Sequence, residues 1–200
     1  MKAFRPLLLA VTASVLLVPS PADAQKAGAP KPGRYTDFHD LDEVTVMQPF
    51  QLRSYKRVVV QRLDTKNAPL PDANDNSYAE VKAALASSAE AFARGMQDKL
   101  GGTRVEAGRG GGAGTLVIRA RVTKSDPGSK AARYFASFGA GAAKTGIAGE
   151  IVDGGTNKVL ARFIQERRSG FGMFGGGYRE LLDRNMRQIG GDVAGLLRAF

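Results

Sequence analysis

The chain has 200 residues, with 29 Lys and Arg against 19 Asp and Glu, a single His, and neither Cys nor Trp. The lack of Cys excludes disulfides, thiol nucleophiles, iron–sulfur clusters, thiolate zinc sites and lipid attachment at a lipobox cysteine. The single His excludes a multi-histidine metal site. Apolar residues make up 43% of the chain, enough for a packed core, and the length indicates one domain.

The first 24 residues have the layout of a secretory signal peptide. Lys2 and Arg5 precede the apolar stretch Leu7–Val18, and Ala22-Asp23-Ala24 is a small-x-small cleavage site. The apolar stretch is shorter than the roughly 20 residues that a membrane span requires. We therefore predict cleavage after Ala24 and export to the periplasm. Peripheral association with the outer membrane is left open.

The mature chain begins with residues 25–34 (QKAGAPKPGR), whose Pro, Gly and Lys content predicts a flexible linker. Residues 35–200 are predicted to form a single domain. Val44 and Val46 indicate a short strand. Residues 56–63 contain three consecutive valines, which predicts a buried strand.

One long amphipathic helix is predicted from Ser77 to Leu100. Ser77 and Glu80 have the spacing of a capping box, and Gly101-Gly102 provides the stop signal. Apolar residues at spacings of three or four form one stripe along this helix. They are Tyr78, Val81, Leu85, Ala89, Phe92, Met96 and Leu100.

The second half of the domain predicts three strands and a helix. Residues 115–124 alternate an apolar face with a largely basic face that carries Arg119 and Arg121. Residues 145–153 and 158–166 predict a hairpin closed by a turn at 154–157. Residues 182–200 predict a second amphipathic helix, which either breaks at Gly190-Gly191 or packs closely against another backbone there.

These elements predict an α+β fold. The expected architecture is a mostly antiparallel sheet with two amphipathic helices packed on one face, in the order strand, helix, strands, hairpin, helix. Neither glycine-rich segment completes a nucleotide motif. A strand follows Gly108–Gly114 where a dinucleotide site needs a helix, and Ala143 stands where a P-loop needs glycine.

Residues 37–43 place four carboxylates near the single histidine in the sequence. The residues are Asp37, His39, Asp40, Asp42 and Glu43. The segment could hold a hard cation or an Asp–His pair, but a solvated acidic segment is the favoured interpretation. We predict no catalytic residue, no cofactor and no metal.

The segment 169–178 (SGFGMFGGGY) places Phe171, Met173 and Phe174 among five glycines, with Arg167 and Arg168 just before them. The first interpretation is a loop that folds its aromatic side chains back onto the sheet. The second is an apolar contact loop for a partner or a membrane surface. The second interpretation makes these five residues, with Arg119 and Arg121, the predicted contact residues.

From Leu116 onward the chain resembles a bacterial envelope family known only as domain of unknown function 4410. The resemblance is carried by LVIRARVTKSDPG, by Arg133 before FGAGAAKTG, by the hairpin GEIVDGGTNKVLARF and by RSGFG. It implies an exported, envelope-associated α+β domain without known chemistry, and it supplies no catalytic residues. Members are often lipoproteins, and this chain departs from them because it has no cysteine.

Three functions stay open at this point. The first is a non-catalytic periplasmic protein that binds an envelope protein through its sheet, its basic face and the Gly/Phe segment. The second is a binder of anionic lipid or glycan through Arg119 and Arg121. The third is a hydrolase whose site has no recognisable motif. Export makes nucleic acid an unexpected partner, and the oligomeric state is left open.

Overall fold

The computed structural model describes residues 29–126, 128, 142–169 and 177–200. The predicted signal peptide and the apolar residues of the Gly/Phe segment lie outside these ranges. The strands are β1 (Gly33–Phe38), β2 (Leu41–Val46), β3 (Arg57–Val60), β4 (Arg104–Ala107), β5 (Thr115–Asp126), β6 (Ala143–Asp153) and β7 (Val159–Ser169). The α-helices are α1 (Tyr78–Ala86), α2 (Ser88–Leu100) and α3 (Tyr178–Leu197), and a 3-10 helix spans Leu52–Ser54.

The seven strands form one mixed sheet in the order β1-β2-β7-β6-β5-β3-β4. Four pairings are antiparallel, but β3 lies parallel to both β4 and β5. The α+β class is therefore confirmed. β3 and β4 are parallel because α1 and α2 lie between them in the chain and return the chain to the end of the sheet where β3 began.

The region predicted as one helix from Ser77 to Leu100 is two helices, and the structure has three α-helices rather than two. Two serines explain the break. The Ser87 and Ser88 hydroxyls donate to the carbonyl oxygens of Ala84 and Leu85, three residues earlier, at 3.2 and 2.7 Å. Such side-chain bonds compete with the backbone ladder and end helices.

The predicted capping box is wrong. Ser77 has helical backbone angles and no capping bond, and its hydroxyl donates instead to Asp75. Glu80 does not reach back to its own helix. Its Oε1 accepts the backbone N–H of Arg179, 3.1 Å away in the first turn of α3. Glu80 therefore joins α1 to the start of α3, where a carboxylate also complements the helix dipole.

The long α3 does not break at Gly190-Gly191, and the other expectation, close packing against a backbone, is confirmed. A Cβ on Gly190 would overlap the carbonyl oxygen of Phe92, and one on Gly95 would overlap the carbonyl oxygen of Arg187. Glycine on each helix thus lets α2 and α3 cross with their backbones in contact. Phe92, Met96 and Ile189, all fully buried, belong to the core between this helix pair and the sheet.

A small polar cluster is buried where α3 meets β6 and β7. The Asn185 amide donates to the Thr145 hydroxyl at 3.0 Å, and its Oδ1 accepts the Ser169 hydroxyl. Asn185 and Thr145 have no exposed surface. Because unpaired polar groups are costly in a core, these bonds fix the rotation of α3 against the sheet.

The hairpin of β6 and β7 is confirmed, and the β1–β2 hairpin adds a strand that the sequence did not indicate. β1 starts at Gly33, inside the segment predicted as linker. It is mostly exposed and lies at the edge of the sheet, so it lacks the apolar run of a buried strand. β4, at the opposite edge, was missed for the same reason.

Candidate functional site on the open face of the sheet

All three helices pack against one face of the sheet, and no helix of the described residues covers the other, which we call the open face. Strand register places its central side chains in two rows that cross β2, β7, β6 and β5. The first row is Thr45, Arg162, Glu150 and Arg119. The second row is Glu43, Ile164, Ala148 and Arg121.

A cleft of about 410 Å³ runs along these two rows, and Asp64 completes one wall. The short side chain of Ala148 leaves a gap between the longer side chains of the neighbouring strands. Ile164 stands at its centre with 47% of its surface exposed, one of three large apolar side chains so exposed within the described ranges. The cleft therefore combines an apolar centre with charged walls.

Each carboxylate in the wall has an internal partner. Glu150 accepts from Arg162 at 2.9 Å, and Glu43 accepts from Arg34 of β1 at 2.6 Å. The Asp64 carboxylate accepts the backbone N–H of Lys66 at 2.9 Å. These contacts leave the acids less available to an incoming ligand than Arg121.

The two arginines predicted from β5 both line this cleft. Arg119 donates to Asn157 Oδ1 at 2.6 Å, which holds its guanidinium against the β6–β7 turn. Arg121 is exposed, and it has no hydrogen bond or ion pair to any side chain that the structure describes. Because Glu43, Asp64 and Glu150 share the cleft, the face is mixed in charge rather than largely basic.

Arg167 and Arg168 point to opposite faces of β7, as consecutive strand residues do. Arg167 faces α3 and pairs with Asp192 at 2.7 Å, where both side chains are partly buried. Arg168 is on the open side, 3.6 Å from Glu166. Of the two, only Arg168 shares a face with Arg119 and Arg121. Phe171, Met173 and Phe174 lie outside the described residues, so the Gly/Phe segment stays a prediction.

Sequence reasoning did not single out Ile164, although a signal was present. Alternate residues of β7 face the open side, and among them Ile164 is the apolar residue between the polar Arg162 and Glu166. An apolar residue on the polar phase of a strand indicates an exposed contact position.

The acidic segment around His39 forms the β1–β2 turn, and its carboxylates diverge. Glu43 pairs with Arg34, and Asp42 Oδ2 accepts the backbone N–H of Glu166 at 2.7 Å. Burial lowers the pKa of His39 from its usual value. Within the described residues no group of His, Cys, Asp and Glu is arranged to hold a metal ion, and no helix is long and apolar enough to cross a membrane.

The chain belongs to the family described as domain of unknown function DUF4410, whose family model matches residues 40–172. The match starts far upstream of Leu116 and takes in β2, β3, α1 and α2 as well as the strands that carried the resemblance. No curated protein matches the chain.

Several solved structures are similar to this one at low identity. A PelC dodecamer from Paraburkholderia phytofirmans is 14% identical, with a TM-score of 0.46 over 74% of this chain and 96% of that chain. A DUF330 protein from Xanthomonas campestris is 13% identical, with a TM-score of 0.41 over 76% and 90%. A putative neuraminyllactose-binding hemagglutinin homolog from Helicobacter pylori is 10% identical, with a TM-score of 0.35 over 74% and 87%.

Proposed function

We propose that this protein is an exported, non-catalytic envelope protein that binds a protein partner in the cleft of the open face. The observation that carries the proposal is that half-exposed Ile164 on β7 and exposed Arg121 on β5 lie on either side of the short Ala148 of β6, in one row of that cleft. The partner segment carries an apolar side chain for Ile164 and a carboxylate for Arg121.

The chemistry of the cleft supports a protein partner. Buried centres of protein interfaces are depleted in charge and enriched in arginine, around which polar groups form a rim. Ile164 beside Ala148 supplies the apolar centre, and Glu43 and Glu150, paired with Arg34 and Arg162, supply the rim. Each carboxylate of the lining already accepts a hydrogen bond from a protein group, which supports a non-catalytic role for the cleft.

Anionic lipid or glycan at Arg119 and Arg121 is the weaker alternative for this cleft. The carboxylates of Glu43, Asp64 and Glu150 lie in the same lining and oppose a polyanion. A protein segment can bring both charge signs to match them, whereas a polyanion cannot.

The test is capture from envelope extract at low and high salt with the tagged protein and its cleft variants. We expect the partner to be held by wild type at both salt concentrations, because an apolar contact is not screened. The double variant Ile164→Ser, Arg121→Ser should lose it. The matched control is Arg184→Ser on the exposed side of α3, which should retain it. Equal capture by all three proteins would reject the cleft as the binding site.

Export is tested separately. N-terminal sequencing of the protein from the periplasmic fraction should begin at Gln25, because Ala22 and Ala24 provide the small residues that cleavage needs. Recovery of an intact Met1 from the cytoplasmic fraction alone would reject the export proposal and leave the cleft to be tested on its own.

A further inference from the structure

A second surface lies at the end of the sheet where the parallel strands begin. Register aligns Arg57, the first residue of β3, with Arg104 of β4 and Thr115 of β5. The last residue of β6 lies at the same end of the sheet, since Asp153 pairs with Leu116. Three consecutive strands and a hairpin turn thus present their ends together.

Cationic side chains accumulate at this end. Lys56 precedes β3 and its backbone N–H donates to the carbonyl oxygen of Gly114 at 2.8 Å, while the Lys158 carbonyl accepts from Asp153 at 2.9 Å. Arg53 lies in the 3-10 helix just before them. We call the set the basic end; it consists of Arg53, Lys56, Arg57, Arg104 and Lys158.

Two acidic side chains at the basic end, Glu106 and Asp153, are engaged by protein groups. Glu106 is shared by Arg57 at 3.1 Å and Arg104 at 2.8 Å. Asp153 accepts the Tyr55 hydroxyl at 2.8 Å and the Thr156 backbone N–H at 2.7 Å. Arg53, Lys56 and Lys158 are exposed and form no ion pair with any residue that the structure describes, so their charge faces solvent.

One exposed apolar side chain lies next to this charge. The backbone N–H of Met47 donates to Leu160, two residues after Lys158, and 46% of Met47 is exposed. Five cations, three of them without an acidic partner in the described residues, lie beside an exposed apolar residue. This combination fits an anionic lipid surface, where headgroups meet the cations and the apolar side chain enters the interface.

We propose that the basic end binds the surface of a membrane that contains anionic phospholipid. The inference goes beyond the proposed function, since it uses none of the cleft residues and does not depend on the protein partner. It would place the cleft at a membrane surface while leaving it open to a partner.

The test is co-sedimentation of the purified protein with vesicles of phosphatidylcholine alone or mixed with phosphatidylglycerol, at low and raised salt. Wild type should bind the mixed vesicles at low salt, lose binding as salt rises, and ignore phosphatidylcholine. Each cation near an anionic surface contributes about a fivefold gain in binding. The variant Arg53→Gln, Lys56→Gln should therefore bind about 25-fold more weakly.

The matched control is Arg179→Gln, Arg184→Gln on α3, which removes the same charge from exposed positions on another face. It should bind the mixed vesicles like wild type, as should the cleft variant Ile164→Ser. An equal loss in the control would show that net charge alone attracts the protein and would overturn the proposal. So would wild type that ignores the mixed vesicles, or that binds a soluble sulfated glycan and no vesicle.

Discussion

The α-carbon of Gly190 faces the carbonyl oxygen of Phe92 so closely that no side chain fits between them. The contact has a counterpart further along the crossing, where Gly95 faces the carbonyl oxygen of Arg187. At each contact a glycine of one helix faces a backbone carbonyl of the other, and the helices can approach to this distance because the glycine has no Cβ. The core side chains of α2 and α3 are positioned by that approach.

We predict that Gly190→Ala destabilises the fold by about 3 kcal/mol, at the upper end of the usual cost of overpacking. The reason is that the new methyl group meets backbone, which cannot rotate away as a side chain can. The measurement is the free energy of unfolding from urea denaturation.

Gly191→Ala is the matched control for that substitution. Its Cβ would lie 3.5 Å from Lys99 Cγ, an ordinary contact with a flexible side chain. Alanine in place of glycine inside a helix should then stabilise by up to about 1 kcal/mol. Similar losses in both variants would show that the two helices do not cross as described.

We predict that Leu85→Ala and Phe92→Ala each destabilise the protein by about 2–5 kcal/mol. Leu85 is 6% exposed and Phe92 is fully buried, so each substitution leaves a cavity. Glu90→Gln, exposed on α2, should change the free energy of unfolding by no more than about 0.5 kcal/mol. Denaturation midpoints that stay at the wild-type value in the alanine variants would show that the stripe does not face the core.

The buried polar cluster predicts a coupling between Asn185 and Thr145. Asn185→Ala should cost about 1–3 kcal/mol, because it leaves the Thr145 and Ser169 hydroxyls without their buried partner. Thr145→Val removes one of these two hydroxyls while keeping the shape of the side chain. In a double-mutant cycle the combined loss should fall short of the sum by about 0.5 kcal/mol or more. Strict additivity would mean that the bond contributes nothing to holding α3.

Asp192 predicts a dependence of stability on pH. Burial raises its pKa above the usual value, and the Arg167 guanidinium, which acts in the other direction, does not offset that burial. As the pH rises from about 4, the carboxyl ionises in the unfolded chain before it does so in the folded one. The free energy of unfolding therefore falls as the pH rises from the pKa of Asp192 in the unfolded chain to its raised pKa in the folded protein.

The measurement compares wild type with Asp192→Asn in urea at a series of pH values from about 3.5 to 7. The variant lacks the titrating group, so its stability relative to wild type should increase as the pH rises. The opposite trend would mean that Arg167 holds the pKa of Asp192 below the usual value and that the ion pair outweighs burial.

The sequence by itself determined the elements with a strong local period. The alternation in β5, the hairpin of β6 and β7 and the apolar stripe through Leu85 and Phe92 all follow from which side of each element must be buried. It also placed Arg119 and Arg121 on one face of β5, because that assignment needs only the period of a strand.

Only the tertiary structure decided what those faces meet. Glu80 has the spacing to cap its own helix, yet it binds Arg179, 99 residues away. The sequence predicts Arg121 as part of a basic face, but β2 and β6 bring Glu43 and Glu150 into the same cleft. A residue's side of a strand or helix is fixed by its neighbours in the chain. Its partners are fixed by how the elements pack to bury the core, and that packing joins residues from distant parts of the sequence.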